Sequence, residues 1–258
     1  MSGRRRAGRS RRSGISAAWV SDTGKQREKN QDRCLADGPK GLFIVCDGMG
    51  GEADGGRAAE LVVQKLPELL EERLPSPGEA DEEGVNNVLE EAIIRLNGIV
   101  RGKSSELPHG QKMGTTLVMA LAAGDRLHVA NLGDSRAYLF HRDELALLSM
   151  DHSVTATLVR RGALTQAQAQ NHPMHGRLAR YVGMKEEPRP AVGTVDWRSG
   201  SRLLLCTDGL TGAIDEKQIE RIVACRWDIL QACHDLADAA NEAGGHDNVT
   251  VLLVENMD

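Results

Sequence analysis

"GLFIVCDGMGG", Gly41 to Gly51, decides how the rest of the chain is read. Leu42 to Cys46 is an unbroken apolar run of strand length, the pattern of a strand buried on both faces. It stops at Asp47, and Gly48, Met49, Gly50 and Gly51 follow. A core strand therefore hands a carboxylate to a loop that carries almost no side chains. "RLLLCTDG", Arg202 to Gly209, repeats the arrangement, with an apolar run stopping at Asp208.

Outward from Gly41, Ile15–Val20 reads as a strand, "SDTGKQREKNQDR" as a polar turn, and a short strand is expected near Cys34. After the glycines, Ala59, Val62, Val63, Leu66, Leu69 and Leu70 make a helical stripe. Pro67 should kink or interrupt it. Pro75–Gly84 is a loop, and Val85, Val88, Leu89, Ala92, Ile93, Leu96 and Ile99 mark a second amphipathic helix. Four short runs between Leu117 and Leu148, split by Gly124-Asp125, Gly133-Asp134 and Arg142-Asp143, predict an antiparallel meander. Residues 151–187 are polar and partly helical. Strands follow at Ala191–Trp197 and Leu203–Cys206, then two helices around Ile219–Val223 and Ile229–Ala240, and a closing strand in Asp247–Glu255. Strand groups separated by long helices point to a layered domain with sheets covered by helices.

Composition removes several classes. The 258 residues suit one substantial domain, and no apolar stretch approaches a membrane span. Five scattered cysteines without a CxxC pair argue against a zinc site or a disulfide framework and fit a reducing cytosol. Ile15–Val20 is too short for the apolar core of a secretory signal, so a cytoplasmic location is expected. Net charge is −5, yet residues 1–12 hold six arginines and no acid. Without those six, 26 basic residues face 37 acidic ones, so the body is acidic and nucleic acid is an unlikely partner. Residues 1–14 have too little apolar content to pack and are expected to be a disordered tail.

Asp32, Asp47, Asp134, Asp208 and Asp247 all stand at turns beside apolar runs. Taken singly, Asp-Gly is ordinary turn chemistry. As a set, converging carboxylates with no histidine or thiolate among them would suit a hard divalent cation such as magnesium or manganese.

Seven motifs occur in order: "SDTGKQREKNQDR", "LFIVCDGMGGEADG", "MGTTLVMA", "VANLGDSRAYLF", "DHSVTATLVRRGAL", "LLLCTDGLTG" and "GGHDNVTVLLV". Through them the chain resembles the metal-dependent protein serine/threonine phosphatases of type 2C in their compact bacterial form, from about Ile15 to Glu255. The resemblance implies an α+β fold, a four-layer α-β-β-α sandwich of two mainly antiparallel sheets flanked by helices. It implies one catalytic domain over 15–256, with a flap insertion at about 151–187. It implies hydrolysis of phosphoserine and phosphothreonine by a hydroxide bridging two Mn2+ or Mg2+ ions, with a third ion held weakly.

Carried over by position, Asp47 bridges the two ions, Asp208 and Asp247 hold the first, and the Gly48 carbonyl contacts the second, with Gln31 at its water shell. Asp32 orients the water, Arg27 clamps the substrate phosphate, Asp134 helps hold the third ion, and Thr116 lines the site on the substrate side. The implied partners are phosphorylated proteins and a cognate Ser/Thr kinase, and the default state is a monomer. Two positions depart from the family pattern. Met49 stands where many members have a histidine general acid. Gly212 stands where the family often has an Asp that shares the third ion, so weaker third-ion binding is expected. The same departure motivates an alternative reading, a catalytically weak pseudophosphatase acting as a binding module.

Overall fold

A computed structural model of the protein describes residues 5–12, 14–50, 54–75, 81–107, 112–225 and 228–257. One six-stranded sheet runs in the order β1 (Arg5–Arg12), β2 (Ile15–Asp22), β13 (Val249–Asn256), β12 (Arg202–Cys206), β9 (Arg136–His141) and β10 (Glu144–Leu147). A five-stranded sheet runs β11 (Ala191–Asp196), β8 (Arg126–Leu132), β7 (Leu117–Ala123), β4 (Leu42–Cys46) and β3 (Arg33–Asp37). Every neighbouring pair in both sheets is antiparallel. A short ribbon pairs β5 (Gly48–Gly50) with β6 (Met113–Thr115).

The side-chain period of two explains why the central strands read as unbroken apolar runs. Phe43 and Val45 of β4 meet Leu203 and Leu205 of β12 in a core between the sheets. Leu42, Ile44 and Cys46 face outward into a core formed with α1 (Asp54–Glu71) and α2 (Glu82–Ser105). Leu204 and Cys206 face the other way, into a core with α6 (Glu216–Cys225) and α7 (Ile229–Glu242). Three cores stack four layers, helix, sheet, sheet, helix, in agreement with the sandwich expected from the resemblance. Caps support the helix starts. The Asp81 side chain accepts from the Gly84 N–H at 2.9 Å, and Glu82 and Glu83 sit where the helix dipole favours acids.

Three expectations are corrected. Helix α1 is not interrupted at Pro67, because Val62, Leu66, Leu69 and Leu70 stay buried along one face and that packing outweighs one lost backbone hydrogen bond. The meander is two hairpins in different sheets: β7 pairs with β8, β9 with β10, and the chain crosses between sheets at Gly133-Asp134-Ser135. The expected disordered tail is, from Arg5 to Arg12, an edge strand paired with β2 along its whole length. Its partners lie elsewhere in the chain. Arg5 pairs with Asp22 at 2.6 Å and Asp238 at 2.7 Å, Arg9 with Asp228 at 2.7 Å, and Ser10 Oγ accepts from the Gly38 N–H at 2.9 Å. Gly8 lies so close to Trp19 that a Cβ would stand 2.7 Å from the indole nitrogen. Residues 1–4 and 13 of that expected tail, Gly51 of the glycine loop and residues 76–80 of the Pro75–Gly84 loop lie outside the described residues.

Candidate metal centre

Each of the five aspartates stands at a strand end. Asp47 follows β4, Asp32 precedes β3, and Asp247 lies two residues before β13. Asp134 sits in the crossover from β8 to β9. Asp208 opens a short helix, α5 (Asp208–Thr211), directly after Thr207 at the end of β12. Four of them, with Arg27 and Gly48, line one cavity of about 240 Å³, and Thr116 lines it too. Asp32 lies buried behind it. Asp47 and Asp208 come from opposite sheets, yet both carboxyl groups reach the same cavity and each shifts the other's ionisation.

Carboxylates this close and this dry resist ionisation. Burial, with Asp208 and Asp247 nearby, lifts Asp32 to about 7 despite hydrogen bonds from Thr250 and Thr207. Burial together with Asp208 and Asp151 lifts Asp134 to about 7. Asp47 and Asp208 are pushed up as well, first by burial and then by their acidic neighbours. A divalent cation would relieve this shared strain.

The supporting hydrogen bonds explain how the aspartates are held. The Asp47 N–H donates to Thr116 Oγ1 at 2.9 Å, and Thr116 Oγ1 exchanges a 2.7 Å bond with Ser135. The Asp47 carbonyl accepts from the Thr116 N–H at 2.9 Å and the Thr115 hydroxyl at 2.7 Å. Thr116 therefore holds the Asp47 backbone, with its hydroxyl already engaged. Thr207 Oγ1 donates to Asp32 Oδ2 at 3.0 Å. Sequence reading missed Asn248, which does much of the assembly. Its Oδ1 accepts from the Gln31 N–H at 2.8 Å, its Nδ2 donates to the carbonyls of Thr23 (2.9 Å) and Lys29 (3.0 Å), and its N–H donates to Asp247 at 2.8 Å. It fastens the loop carrying Arg27 to the start of β13. The only local signal was its place beside Asp247.

The residues present fit divalent ions. The donors are oxygen only, which suits a hard cation. Asp32 Oδ1 and Asp208 Oδ1 are buried with no hydrogen-bond partner among the described residues, the kind of orphan that a cation or its water shell satisfies. Gly48 is packed so tightly that a Cβ would lie 2.2 Å from the Gly55 carbonyl oxygen, so only glycine brings backbone this close. Among the described residues no three His, Cys, Asp or Glu side chains form a ready-made cage. One reason is visible: Asp247 Oδ2 is held by Arg27 Nη2 at 2.8 Å. Both side chains are partly exposed, so this pair is worth at most about 1 kcal/mol and parts easily. Cys46 and Cys206, beside the aspartates, are buried, and burial pushes Cys206 up to about 12, which makes it inert.

Residues 24–242 match the family described as protein phosphatase 2C. The chain belongs to that family. The serine/threonine phosphatase Stp of Listeria innocua is 34% identical over 93% of this protein phosphatase 2C chain and 95% of its own. The crystal structure of the Mycobacterium tuberculosis serine/threonine phosphatase PstP superposes with a TM-score of 0.83 at 31% identity, covering 95% of this chain and 99% of that one. A structure of the PstP catalytic domain in complex with two manganese ions superposes at 0.79, with 30% identity and 95% and 99% coverage.

Proposed function

We propose that this chain hydrolyses phosphoserine and phosphothreonine esters of proteins in the aspartate cleft. It is a metal-dependent protein serine/threonine phosphatase, and its substrates are phosphoproteins. The observation that carries the site assignment is the convergence of Asp47, Asp134, Asp208 and Asp247 on one cleft beside Arg27, with Asp32 behind. That convergence also speaks against the pseudophosphatase alternative.

Asp47, Asp208 and Asp247 with the Gly48 carbonyl would hold two ions, manganese or magnesium, with Asp134 toward a third. Bound divalent ions supply a water-derived nucleophile near neutral pH and offset charge on the phosphoryl oxygens. Arg27 exchanges Asp247 for the substrate phosphate, whose oxygens match its planar fork. Asp32, buried behind the aspartates that would hold the ions, would orient the attacking water and could take its proton. Thr116 and Thr207 fix the two strand ends. The aspartates that line the described cleft would be taken up in holding the ions, and Thr116 Oγ1 is engaged by Asp47 and Ser135, so direct attack of water at phosphorus, without a phosphoenzyme, is the step the cleft favours. With Met49 in place of an acid, the leaving alkoxide takes its proton from water.

Gly212 bears on the third ion. It lines the cavity next to the cleft together with Asp134 and Asp208, so a carboxylate there would face both. Gly212→Asp should therefore tighten a weak manganese site in calorimetry; an unchanged isotherm removes the idea. A Ser/Thr kinase is the class of enzyme that supplies the substrate. A monomer in a reducing cytoplasm fits the few exposed large apolar residues among those described, Leu147, Met150 and Met257, and the five free cysteines.

The deciding experiment is phosphate release from a phosphothreonine peptide with manganese, with EDTA, and by Asp208→Asn. Loss of turnover by about two orders of magnitude or more in both controls is expected. Metal-independent turnover would reject the site as drawn.

A further inference from the structure

A second cavity of about 600 Å³ opens beside the cleft and shares Asp134, Gly176 and Asp208 with it. One wall is the flap, with α3 (Val154–Arg160) and α4 (Gln166–Gln170); the other is the turn from α5 to α6. Of its acidic and arginine side chains, Asp134 and Asp208 belong to the metal centre, where bound cations would offset their charge, and the other four differ in one respect that matters. Arg136 is neutralised: it donates to Glu216 at 3.2 Å and lies 4.0 Å from Asp151. Glu216 also accepts from the Tyr138 hydroxyl, and Asp151 from the Ser153 N–H. Arg160 is not neutralised. Its Nη1 donates to the Asp151 carbonyl at 2.6 Å and its Nη2 to the Thr157 hydroxyl at 3.2 Å, and among the described residues no carboxylate pairs with it. A guanidinium has five N–H donors, so it keeps several spare.

Two further facts point the same way. Gly212 leaves the opposite wall without the carboxylate that family members often have there. Its φ of −82° is one that any residue adopts, so the glycine is not needed for its dihedral angle. The flap is also cationic against the trend of the chain. Residues 151–187 hold five Lys or Arg against three Asp or Glu, while the whole protein is at −5.

We propose that this cavity is an anion subsite for the substrate's own chain: while one phosphorylated residue occupies the aspartate cleft, a second phosphoryl or carboxylate group nearby in sequence docks on Arg160. The proposal rests on the phosphatase reading above. Two or three residues of extended peptide span about 7–10 Å, the scale of such a cavity, so the second anion belongs two or three positions from the scissile one. A phosphoryl dianion binds better than a carboxylate, because it brings more charge and more acceptor oxygens to the same fork.

The test uses one metal-loaded enzyme and three peptides of equal length. Each carries one phosphothreonine; at the third residue from it stands alanine, glutamate or a non-hydrolysable phosphonate. Expected kcat/KM rises about tenfold from alanine to phosphonate, the size of one charge-assisted hydrogen bond, with glutamate between and the change lying in KM. In Arg160→Gln the three peptides become equal, and Arg160→Lys keeps part of the preference. Arg161→Gln removes the same charge from a residue that does not line the cavity, and the preference should survive. Thermal melts check that each variant is folded. A native preference of one, or the same preference in Arg160→Gln, overturns the subsite. No turnover of any peptide by folded, metal-loaded enzyme instead breaks the phosphatase reading.

Discussion

The protein has two arginine-rich segments that look alike as text and behave differently as structure. In β1, "RRAGRSRR", three of the five arginines reach partners elsewhere in the chain. Arg5 meets Asp22 and Asp238, Arg9 meets Asp228 at the start of α7, and Arg12 reaches the carbonyls of Pro39 and Ala122. In the flap, Arg160, Arg177 and Arg180 donate to the Asp151 carbonyl, the Met174 sulfur and the Arg189 carbonyl. One segment uses its charge to join the fold; the other keeps its charge clear of carboxylate partners among the described residues, with Arg160 on the cavity beside the aspartate cleft. The difference lies in which carboxylates the rest of the chain brings near, and these are up to 219 residues away in sequence for Arg9.

The largest test of this contrast is removal of residues 1–12. A disordered tail would leave with no effect. An edge strand takes its whole ladder with it, so the melting temperature should fall by about 10 °C, from ~3 kcal/mol at 2–4 °C per kcal/mol for a domain of this size. The bared edge of β2 should also make the protein more prone to aggregate. Differential scanning calorimetry decides; an unchanged melt would return the segment to a tail. Next in size is Arg5→Ala. Asp22 is a nearly buried carboxylate that would keep only the Gly24 N–H among the contacts described, so a loss of about 1–2 kcal/mol is expected in urea titration. Arg9→Ala, breaking a more exposed pair, should cost less than about 1 kcal/mol.

These residues also show what sequence could and could not reveal. The runs ending in Asp47 and Asp208 were legible because a strand buried on both faces has no polar alternation to disguise it, and the carboxylate after it is conspicuous. The helices over them were legible through their 3.6-residue stripes. The crossover at Gly133-Asp134 was hidden, because two hairpins in one sheet and two in facing sheets have the same local pattern. The role of Asn248 was hidden too: its partners at Thr23, Lys29 and Gln31 lie more than 200 residues away. The edge strand was misread for the same reason, since composition describes what a segment can bury by itself and says nothing of distant aspartates.

The flap arginines should still be felt through space, at His152. Its imidazole is buried, and burial, then Arg180 and Arg160, hold it down at about 4, with Asp151 pulling the other way. Its Nδ1 accepts from the Gly133 N–H at 3.2 Å, which fixes the neutral ring. In the unfolded chain histidine titrates near 6.5. Between those values the unfolded chain binds a proton that the folded one refuses, so this residue makes stability fall as pH drops from about 6.5 toward 4. The difference between native protein and His152→Gln in urea midpoint should therefore shrink on acidification across that window. A pH-independent difference would mean that His152 titrates normally and that the arginines do not act on it.

The smallest expected effect is the sharpest. Changing Arg160, Arg161, Arg177 and Arg180 together to glutamine removes four charges but, among the described residues, no ion pair with a carboxylate. Glutamine can keep part of the hydrogen bonding to neutral acceptors, and each site is at the surface or at a cavity wall. Stability should move by no more than about 0.5 kcal/mol, as for surface substitutions that break nothing specific. The double change Arg5→Ala with Arg9→Ala removes only two arginines and should cost several times as much. If the fourfold flap variant instead loses as much as the strand variant, the flap arginines are structural. Their charge is then already committed inside the fold, and the cavity beside the cleft has no cation left to offer a substrate.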